Sequence, residues 1–297
     1  MRATAVICVR DDDAYVEGCL RHLIDHGVDF AVLDNGMGAE ARALLDRPPF
    51  RDHLREVRPL PYNGAFELER QIEAKERMFE ALDADWLIHL DVDEVMHSYV
   101  PEERLIEAIA RIDAGGFNVI NFDEYVFLPL EQSYRAGACP QPLTAYYLFD
   151  PGIGPRLMRA RRRSANLSMA PGSSDPGAAG HRLYGDDVRL AAESFVLRHY
   201  IFRDQDHARR KYTERAYAPG ELTRGWHANR VGRPAAAFDF PPPESLKRLP
   251  GAGSQAFDRS DPKRTHYWDW PSALVTPAAD GPPRPTDQMR SGSLAPG

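Results

Sequence analysis

Asp91 and Asp93 are the residues of this sequence whose type and spacing most directly indicate chemistry. They follow an apolar run, Trp86–Leu90, whose length and composition predict a buried β-strand. Paired carboxylates at a strand end can hold a hard cation such as Mg²⁺ or Mn²⁺, which leaves positions open for phosphate oxygens. Such a cation would stabilise a departing diphosphate. The alternative is that both side chains cap turns, but their position after a strand favours a metal site.

Two further acidic groups follow predicted strands. The run Asp11–Asp13 comes after Thr4–Val9, and Asp34 comes after Val28–Leu33 at the start of an Asp-Asn-Gly sequence. A carboxylate can accept hydrogen bonds from a ribose or a base, so Asp12 and Asp34 are candidate nucleotide contacts. The alternatives are a helix N-cap for the aspartate run and an Asn-Gly turn for Asp34.

Nitrogen-bearing side chains in the second half could complete such a site. His199 lies in a predicted strand over Ser194–Phe202, and His181 lies in a Gly-His-Arg loop. Either histidine could ligate the cation or contact the diphosphate, although an isolated histidine is more often structural. Lys211 belongs to a basic, aromatic helix predicted at about 205–217 and is a further candidate for nucleotide binding. A basic cluster over 155–166 could pair with diphosphate, or could simply form a solvated face.

The elements that must position these residues alternate between strand and helix. This alternation predicts an α/β fold with a mostly parallel central sheet and helices on both faces. In such sheets, ligands bind outside the carboxyl ends of the strands, which is where the acidic groups fall. The predicted strands are Thr4–Val9, Val28–Leu33, Leu54–Leu60, Trp86–Leu90 and Phe117–Phe122, and the predicted helices are Ala14–His26, Ala39–Leu45, 65–83 and 102–113.

A group transfer that inverts the reacting carbon needs a general base to take the acceptor hydroxyl proton. Asp123 and Glu124 follow the predicted strand Phe117–Phe122, which makes them the positional candidates for this base. Asp186 and Asp187 are second choices. A retaining reaction would not need such a base.

Composition excludes several classes of protein. The 297 residues carry a net charge of −7, which gives no general attraction to nucleic acid or to an anionic membrane. Three cysteines without metal-ligand spacing indicate neither a disulfide framework nor a zinc site. No run approaches the roughly 20 apolar residues of a transmembrane helix, and the apolar stretch near the N-terminus is too short for a signal peptide. We therefore expect a soluble, cytoplasmic protein.

Composition also changes along the chain. We expect residues 1–230 to form the nucleotide-binding domain and 231–297, rich in Pro and Gly, to form a partly packed C-terminal extension of irregular structure. The last 20–25 residues are expected to be disordered, because they contain too few apolar residues to form a core. The Gly/Ala/Ser/Pro loop at 170–180 is longer than a simple connection needs.

Three segments resemble glycosyltransferases of the GT-A type, in the family 2 and family 92-like group. The opening VICVRDDDAYVEGCLRHLIDHGVDFAVLDNG is similar to the first strand, helix and second strand of that group. The segment DWLIHLDVDEVM resembles its metal-binding strand, and LRHYIFRDQDHARRKYTERAY resembles its region of His-Tyr followed by Arg and Lys. The similarity covers roughly residues 3–230.

The resemblance implies a Rossmann-like domain that transfers a hexosyl-type sugar from a UDP- or GDP-sugar donor to a carbohydrate or other hydroxyl acceptor. It implies Mn²⁺ or Mg²⁺ held by Asp91 and Asp93, with His199 as the first and His181 as the second choice for a further contact. Many members invert the anomeric carbon. The sequence departs from the group at Asp11-Asp12, where Asn-Glu is usual.

Three other classes of protein could share this fold or the paired aspartates. A nucleotidyltransferase usually has a Gly-rich loop after the first strand, where this sequence has VRDDDAY. A phosphohydrolase with a nucleophilic aspartate would carry its Asp-x-Asp motif on the first strand. A non-catalytic carbohydrate-binding or scaffold protein could share the fold, and metal-dependent hydrolysis of a donor sugar would distinguish an active enzyme from it.

Overall fold

The computed structural model of the chain describes residues 1–170 and 180–271, and it has an α/β architecture built on one large mixed sheet. Apolar runs form the central strands, and amphipathic segments form the helices between them. The strands are β1 Ala3–Val9, β2 Asp29–Asp34, β3 Leu54–Pro59, β4 Trp86–Asp91, β5 Glu94–His97, β6 Val119–Phe127, β7 Ala145–Phe149, β8 Met158–Arg162, β9 Phe195–His199 and β10 Lys247–Arg248. The helices are α1 Asp13–Asp25, α2 Ala39–Leu45, α3 Phe50–His53, α4 Leu68–Ala81, α5 Leu105–Ala114, α6 Gln205–Thr213 and α7 Pro219–Thr223.

The sheet has a parallel half and a mixed half. Strands β3, β2, β1 and β4 are neighbours in that order and all run parallel. Beyond β4, strands β8, β6 and β7 pair antiparallel, and β10 forms the edge. Strand β9 lies parallel to β6 and antiparallel to β5. The predicted α/β fold with parallel central strands is confirmed, and the antiparallel strands extend it on one side.

Side-chain alternation along β1 places helices on both faces of the sheet. Ala5 and Ile7 are fully buried in a core that also contains apolar residues of α1, α2 and α5. Val6, between them, points to the other face and packs in a second core with Ile72 and Met78 of α4. A strand that buries both faces appears in the sequence as a continuous apolar run, which is why ATAVICV has no polar alternation.

Strands β5 and β9 bring two distant parts of the chain together. In their antiparallel pairing, Glu94 lies opposite His199. The Tyr200 N–H donates to the Asp93 carbonyl at 2.8 Å, which extends this ladder by one bond. The residue that follows β9 and the residue that precedes β5 are therefore fixed next to each other by the backbone.

Strand β6 corrects one prediction made from the sequence. It runs to Phe127 rather than ending at Phe122, so Asp123 and Glu124 lie inside the strand and not after it. The polar pair is tolerated because both neighbours, β7 and β9, pair with this part of β6, and Glu124 is compensated by charged partners.

The aspartate run before α1 does not provide the predicted side-chain cap. Asp12 occupies the N-cap position, but its side chain makes no capping hydrogen bond. Asp11 has a positive φ of 52°, so the chain turns sharply between β1 and α1. Asp13 instead accepts a bond from the Gly38 N–H at 3.0 Å, which ties the start of α1 to the start of α2.

Part of the C-terminal region packs against the sheet. Strand β10 pairs with β7, and Phe238, Tyr267 and Trp268 are buried in a third apolar cluster together with Tyr147. The domain boundary near residue 230 stays a prediction. The expected disorder of the last residues and the loop expected at 170–180 fall almost entirely outside the described residues.

None of the helices within residues 1–170 and 180–271 is both long enough and apolar enough to cross a bilayer.

Candidate active site

A cleft of about 930 Å³ opens at the carboxyl ends of β1 and β4. Its lining includes Asp12 after β1, Asp91 at the end of β4, Asp93 in the turn that follows, and His199 at the end of β9. Residues of α6 and of the segment 225–230 also line the cleft. The cleft therefore occupies the position at which an α/β sheet usually binds its ligand.

Asp91 is held by a lysine that approaches from the protein interior. The Lys75 ammonium, 1% exposed, donates to Asp91 Oδ1 at 3.0 Å and to the Leu90 carbonyl at 2.8 Å. Arg159 lies 3.7 Å from Asp91 Oδ2. Burial opposes ionisation of Asp91, but Lys75 and Arg159 outweigh it and hold the pKa of this carboxyl well below its usual range. The side chain keeps 47% of its surface exposed to the cleft.

Glu94 fixes the backbone at Asp91 through a hydrogen bond. It is buried and accepts hydrogen bonds from the Asp91 N–H at 3.0 Å and from Arg159 at 2.7 Å. Burial, opposed by Arg159, raises the pKa of Glu94 to about 7. Its hydrogen bonds fix the turn between β4 and β5, which carries both aspartates of the motif.

Asp93 lies between two cationic side chains. Lys211 of α6 donates to Asp93 Oδ2 at 3.0 Å, and His199 Nε2 lies 3.6 Å from Asp93 Oδ1. Burial favours the neutral acid, but Lys211 and His199 reverse this effect and lower the pKa of Asp93 far below its usual value. Asp93 is consequently an ionised carboxylate in the cleft.

The orientation of His199 is fixed by Glu124. Its Nδ1 lies 2.7 Å from Glu124 Oε1, and Arg156 contacts the other oxygen of the same carboxylate. Burial raises the pKa of Glu124, but Arg156 and His199 together lower it well below its usual range. In the absence of other ligands, Asp93 and Glu124 outweigh the effect of burial on His199 and raise its pKa to about 10. His199 is then an imidazolium between two carboxylates.

The same arrangement fits a divalent cation. Histidine ligands of metals commonly donate one ring N–H to a carboxylate, which leaves the other nitrogen free to ligate, and Glu124 is placed to accept that bond. The 3.6 Å between His199 Nε2 and Asp93 Oδ1 is too long for a good hydrogen bond, but a cation with bonds of about 2.1 Å can contact both atoms. Within residues 1–170 and 180–271, no three His, Cys, Asp or Glu side chains form a ready metal cluster. Substrate oxygens and water would have to supply the remaining ligands.

Asp12 and three basic residues also line the cleft. The Asp12 carboxylate lies near Lys211, Arg215 and Arg203, and no hydrogen bond or ion pair within 4.0 Å engages it among the described residues. Burial, supported by Asp93 and opposed by Lys211, raises its pKa. A carboxylate of this kind can accept hydrogen bonds from a bound hydroxyl group.

The structure brings seven of the predicted site residues to one cleft. Asp12, Asp91, Asp93, Glu124 and His199 line the cleft with Lys211. His181 also lines it, and its ring is not part of a cluster with three potential metal ligands in the described regions.

Four predicted residues lie elsewhere. Asp34 is buried and accepts hydrogen bonds from the Gly36 and Met37 N–H groups, so its carboxylate closes the turn after β2 and also pairs with Arg42. This outcome favours the turn interpretation, because Asp34 does not line the cleft. Asp186 and Asp187 are exposed and also lie outside the cleft.

Asp123, predicted as a base at a strand end, lies within β6 and does not line the cleft. Successive residues of a strand face opposite sides, and Glu124 is the one that lines the cleft. The Asp123 carboxylate instead accepts a hydrogen bond from Tyr99 at 2.8 Å and pairs with Arg259 at 2.9 Å.

Sequence reasoning did not identify Lys75, Arg156 and Arg159 individually as parts of this site. Lys75 lies on the apolar face of α4, where a lysine between Ile72 and Phe79 is a recognisable anomaly. From the sequence, the basic cluster at 155–166 could simply form a solvated face, but Arg159 is only 3% exposed in the structure. A charged run that coincides with a short strand, as β8 does, is the signal that could have indicated buried ion pairs.

Comparisons with known proteins give distant likenesses. No family model matches the chain, and no curated protein matches it. Among solved structures, TarS of S. aureus has 13% sequence identity and a TM-score of 0.42, with 67% of this chain and 60% of that chain covered. The same protein in complex with UDP has 12% identity and a TM-score of 0.42, covering 70% and 64%. A mannosyltransferase of Pyrobaculum calidifontis, in complex with GDP-Man and Mn²⁺, has 11% identity and a TM-score of 0.31, covering 41% and 35%.

This chain thus spans about 60% of the TarS structure that it matches. Likenesses with such identities and TM-scores assign no function. The function has to be argued from the residues of the cleft.

Proposed function

We propose that this protein is a metal-dependent glycosyltransferase that uses a nucleotide-diphosphate sugar. The observation that carries the proposal is the pair formed by Asp93 and His199 at the strand ends, with Glu124 holding the imidazole. This arrangement suits a Mg²⁺ or Mn²⁺ ion that is completed by phosphate oxygens. The cleft around it is large enough for a nucleotide sugar, since ligand pockets typically measure about 300–1,000 Å³.

The residues of the cleft have distinct proposed roles. Asp93 and His199 would hold the cation, and Asp91 would contact it directly or through water from its fixed position on Lys75. When bound, the cation supplies positive charge where the departing diphosphate becomes more negative. Lys211 lies beside this position and can donate to a phosphate oxygen. Asp12 is proposed to accept a hydrogen bond from the donor ribose.

The acceptor is proposed to be a carbohydrate or another hydroxyl compound, and the sequence resemblance favours inversion. Of the two acidic residues predicted as the base, Glu124 alone reaches the cleft. Its carboxylate is shared by Arg156 and His199, and its low pKa makes it a weak base. Glu124 is therefore assigned to orienting His199 rather than to taking the acceptor proton.

The proposal predicts metal-dependent nucleotide binding that requires Asp93. We expect UDP or GDP to bind the wild-type protein in the presence of Mn²⁺ at least about tenfold more tightly than in EDTA, which corresponds to about 1.4 kcal/mol. In Asp93→Asn, which keeps the size of the side chain, this difference should disappear. Isothermal titration calorimetry with each nucleotide, with Mn²⁺ or with EDTA, measures both affinities.

Asp123→Asn provides the matched control, because Asp123 is next to a site residue in sequence but faces away from the cleft. We expect wild-type nucleotide affinity in this variant. If neither UDP nor GDP binds the folded wild-type protein under any condition, the proposed function is wrong. If Asp93→Asn retains the full effect of Mn²⁺, the assignment of the cation to Asp93 is wrong.

A second measurement concerns catalysis. Release of free sugar from a UDP-sugar or GDP-sugar by the wild-type protein would separate a working enzyme from a non-catalytic carbohydrate-binding protein.

A further inference from the structure

Lys211 is hydrogen-bonded to Asp93, the carboxylate that the proposed function assigns to the cation. Its ammonium donates to Asp93 Oδ2 at 3.0 Å and to the Ile201 carbonyl at 2.9 Å. The side chain is 7% exposed, and it reaches the cleft from α6. Two of its three N–H donors are used in these contacts, so one remains for a ligand.

Lys75 binds Asp91, the other aspartate of the motif, in a way that can be compared with Lys211 on Asp93. Each aspartate of the motif is matched by one lysine that also donates to a backbone carbonyl. Lys75 is buried, however, and His89 Nε2 lies 3.8 Å from the same Asp91 oxygen that Lys75 binds. At Asp93, by contrast, the lysine binds one carboxylate oxygen and the histidine nitrogen lies near the other.

Two cations on one carboxylate repel each other, and the repulsion is strong where water is largely excluded. A divalent ion between Asp93 and His199 would therefore lie close to the Lys211 ammonium and would bind poorly by itself. A diphosphate that contacts both the ion and Lys211 would add negative charge between them and remove this penalty. The affinity for each ligand would then rise when the other is bound, and by the same factor in both directions.

On the basis of the proposed function, we propose that Lys211 is a positioning residue that couples binding of the cation to binding of the nucleoside diphosphate. It keeps Asp93 neutralised in the empty cleft and makes the cation bind tightly only together with a nucleoside diphosphate. The cation alone is then held weakly, and the complete site forms when the donor arrives.

The test is to measure Mn²⁺ binding with and without saturating UDP, or with GDP if that is the nucleotide that binds. Calorimetry or the electron paramagnetic resonance signal of free Mn²⁺ gives the affinities. For the wild-type protein we expect the nucleotide to raise Mn²⁺ affinity at least tenfold. In Lys211→Met, we expect Mn²⁺ alone to bind at least threefold more tightly than in the wild type, and the effect of the nucleotide to fall below threefold.

Two variants keep the result interpretable. Lys211→Arg retains the positive charge and should retain coupling, whereas a merely structural role would predict no gain of metal affinity in Lys211→Met. Arg209→Met changes an exposed cation of the same helix, which pairs with Asp239 outside the cleft, and should behave as the wild type. If Lys211→Met does not fold, as judged by circular dichroism, Lys211→Gln takes its place.

The outcomes separate the two proposals. Absence of nucleotide binding to the wild type would overturn the proposed function itself. If nucleotide and Mn²⁺ bind together but Lys211→Met keeps the wild-type coupling, or binds Mn²⁺ alone no better than the wild type, the role of Lys211 is overturned and the proposed function is not.

Discussion

Lys75 reaches the site from the buried face of α4, and its loss has a predictable cost. Lys75→Met would leave the Leu90 carbonyl without this donor and remove the nearest positive charge from Asp91. Leaving a buried polar group unsatisfied costs about 1–3 kcal/mol. We expect the free energy of unfolding to fall by about that amount. Urea denaturation followed by circular dichroism measures it.

Arg77→Met on the same helix is the control for Lys75→Met. Arg77 is largely exposed and lies 3.7 Å from Glu73, a geometry whose contribution is usually below about 1 kcal/mol. If both variants lose the same stability, the interior contact of Lys75 with Asp91 and Leu90 is not what stabilises the turn after β4.

Individual site residues were predictable where chemistry and position in the sequence coincided. Asp91, Asp93 and His199 each stand at the edge of an apolar run, and the structure brings them to one cleft. Asp34 and Asp123 have the same type of side chain and a similar sequence context. What distinguishes them is the direction in which the backbone points each side chain, and this direction depends on strand length and turn geometry that one sequence does not reveal.

Helix α6 carries Lys211 to the cleft and depends on its N-cap residue for stability. Asp204 occupies the N-cap and accepts a hydrogen bond from the His207 N–H at 2.7 Å. Asp204→Ala should lower the free energy of unfolding by about 0.5–2 kcal/mol, because the first turn loses its side-chain acceptor. Thermal and urea denaturation both measure the change.

Asp206→Ala is the comparison for this prediction. Asp206 lies in the first turn of the same helix, but it is 75% exposed and 4.0 Å from its nearest cation, Arg209. We expect a smaller loss, since a distant exposed ion pair contributes little. Equal losses in the two variants would mean that the bond from His207 does not stabilise α6.

The limits of helices with a regular apolar pattern were predicted closely, whereas a strand that depends on a distant partner was not predicted. Helix α2 has the predicted limits Ala39–Leu45, and α4 falls inside the predicted 65–83. Strand β5 was not predicted, because four residues directly after the Asp-x-Asp motif carry no pattern of their own. It exists because β9 pairs with it, and this partner lies far along the chain.

At the scale of the whole molecule, buried neutral histidines make the fold sensitive to acid. Burial lowers the pKa of His22 and of His207 to about 3, and holds the pKa of His97 and of His266 well below the usual range. A depressed histidine pKa means that the unfolded chain takes up protons below pH about 6.5 while the folded chain does not. Stability is therefore lost as the pH falls from about 6.5 toward 3.

Each such histidine contributes a slope of up to about 1.4 kcal/mol per pH unit in this window. We expect the free energy of unfolding to decrease steadily between pH 6.5 and 5, as measured by urea denaturation. His22→Gln can keep the hydrogen bond to the Met96 carbonyl but cannot take up the proton, so its slope should be smaller. An unchanged slope would show that His22 is not one of the groups responsible.

The pairing of β5 with β9 also bears on the order in which the protein folds. Lys211 and Asp93 are 118 positions apart in the chain, and their contact requires a loop of that length to close. The parallel strands β1, β2 and β4 can assemble from the first third of the sequence, whereas the cleft exists only after β9 and α6 have docked. Contacts between such distant parts of a chain tend to form late and slowly. A chain released from the ribosome can therefore have most of its parallel sheet and still lack the proposed nucleotide site until its second half has folded.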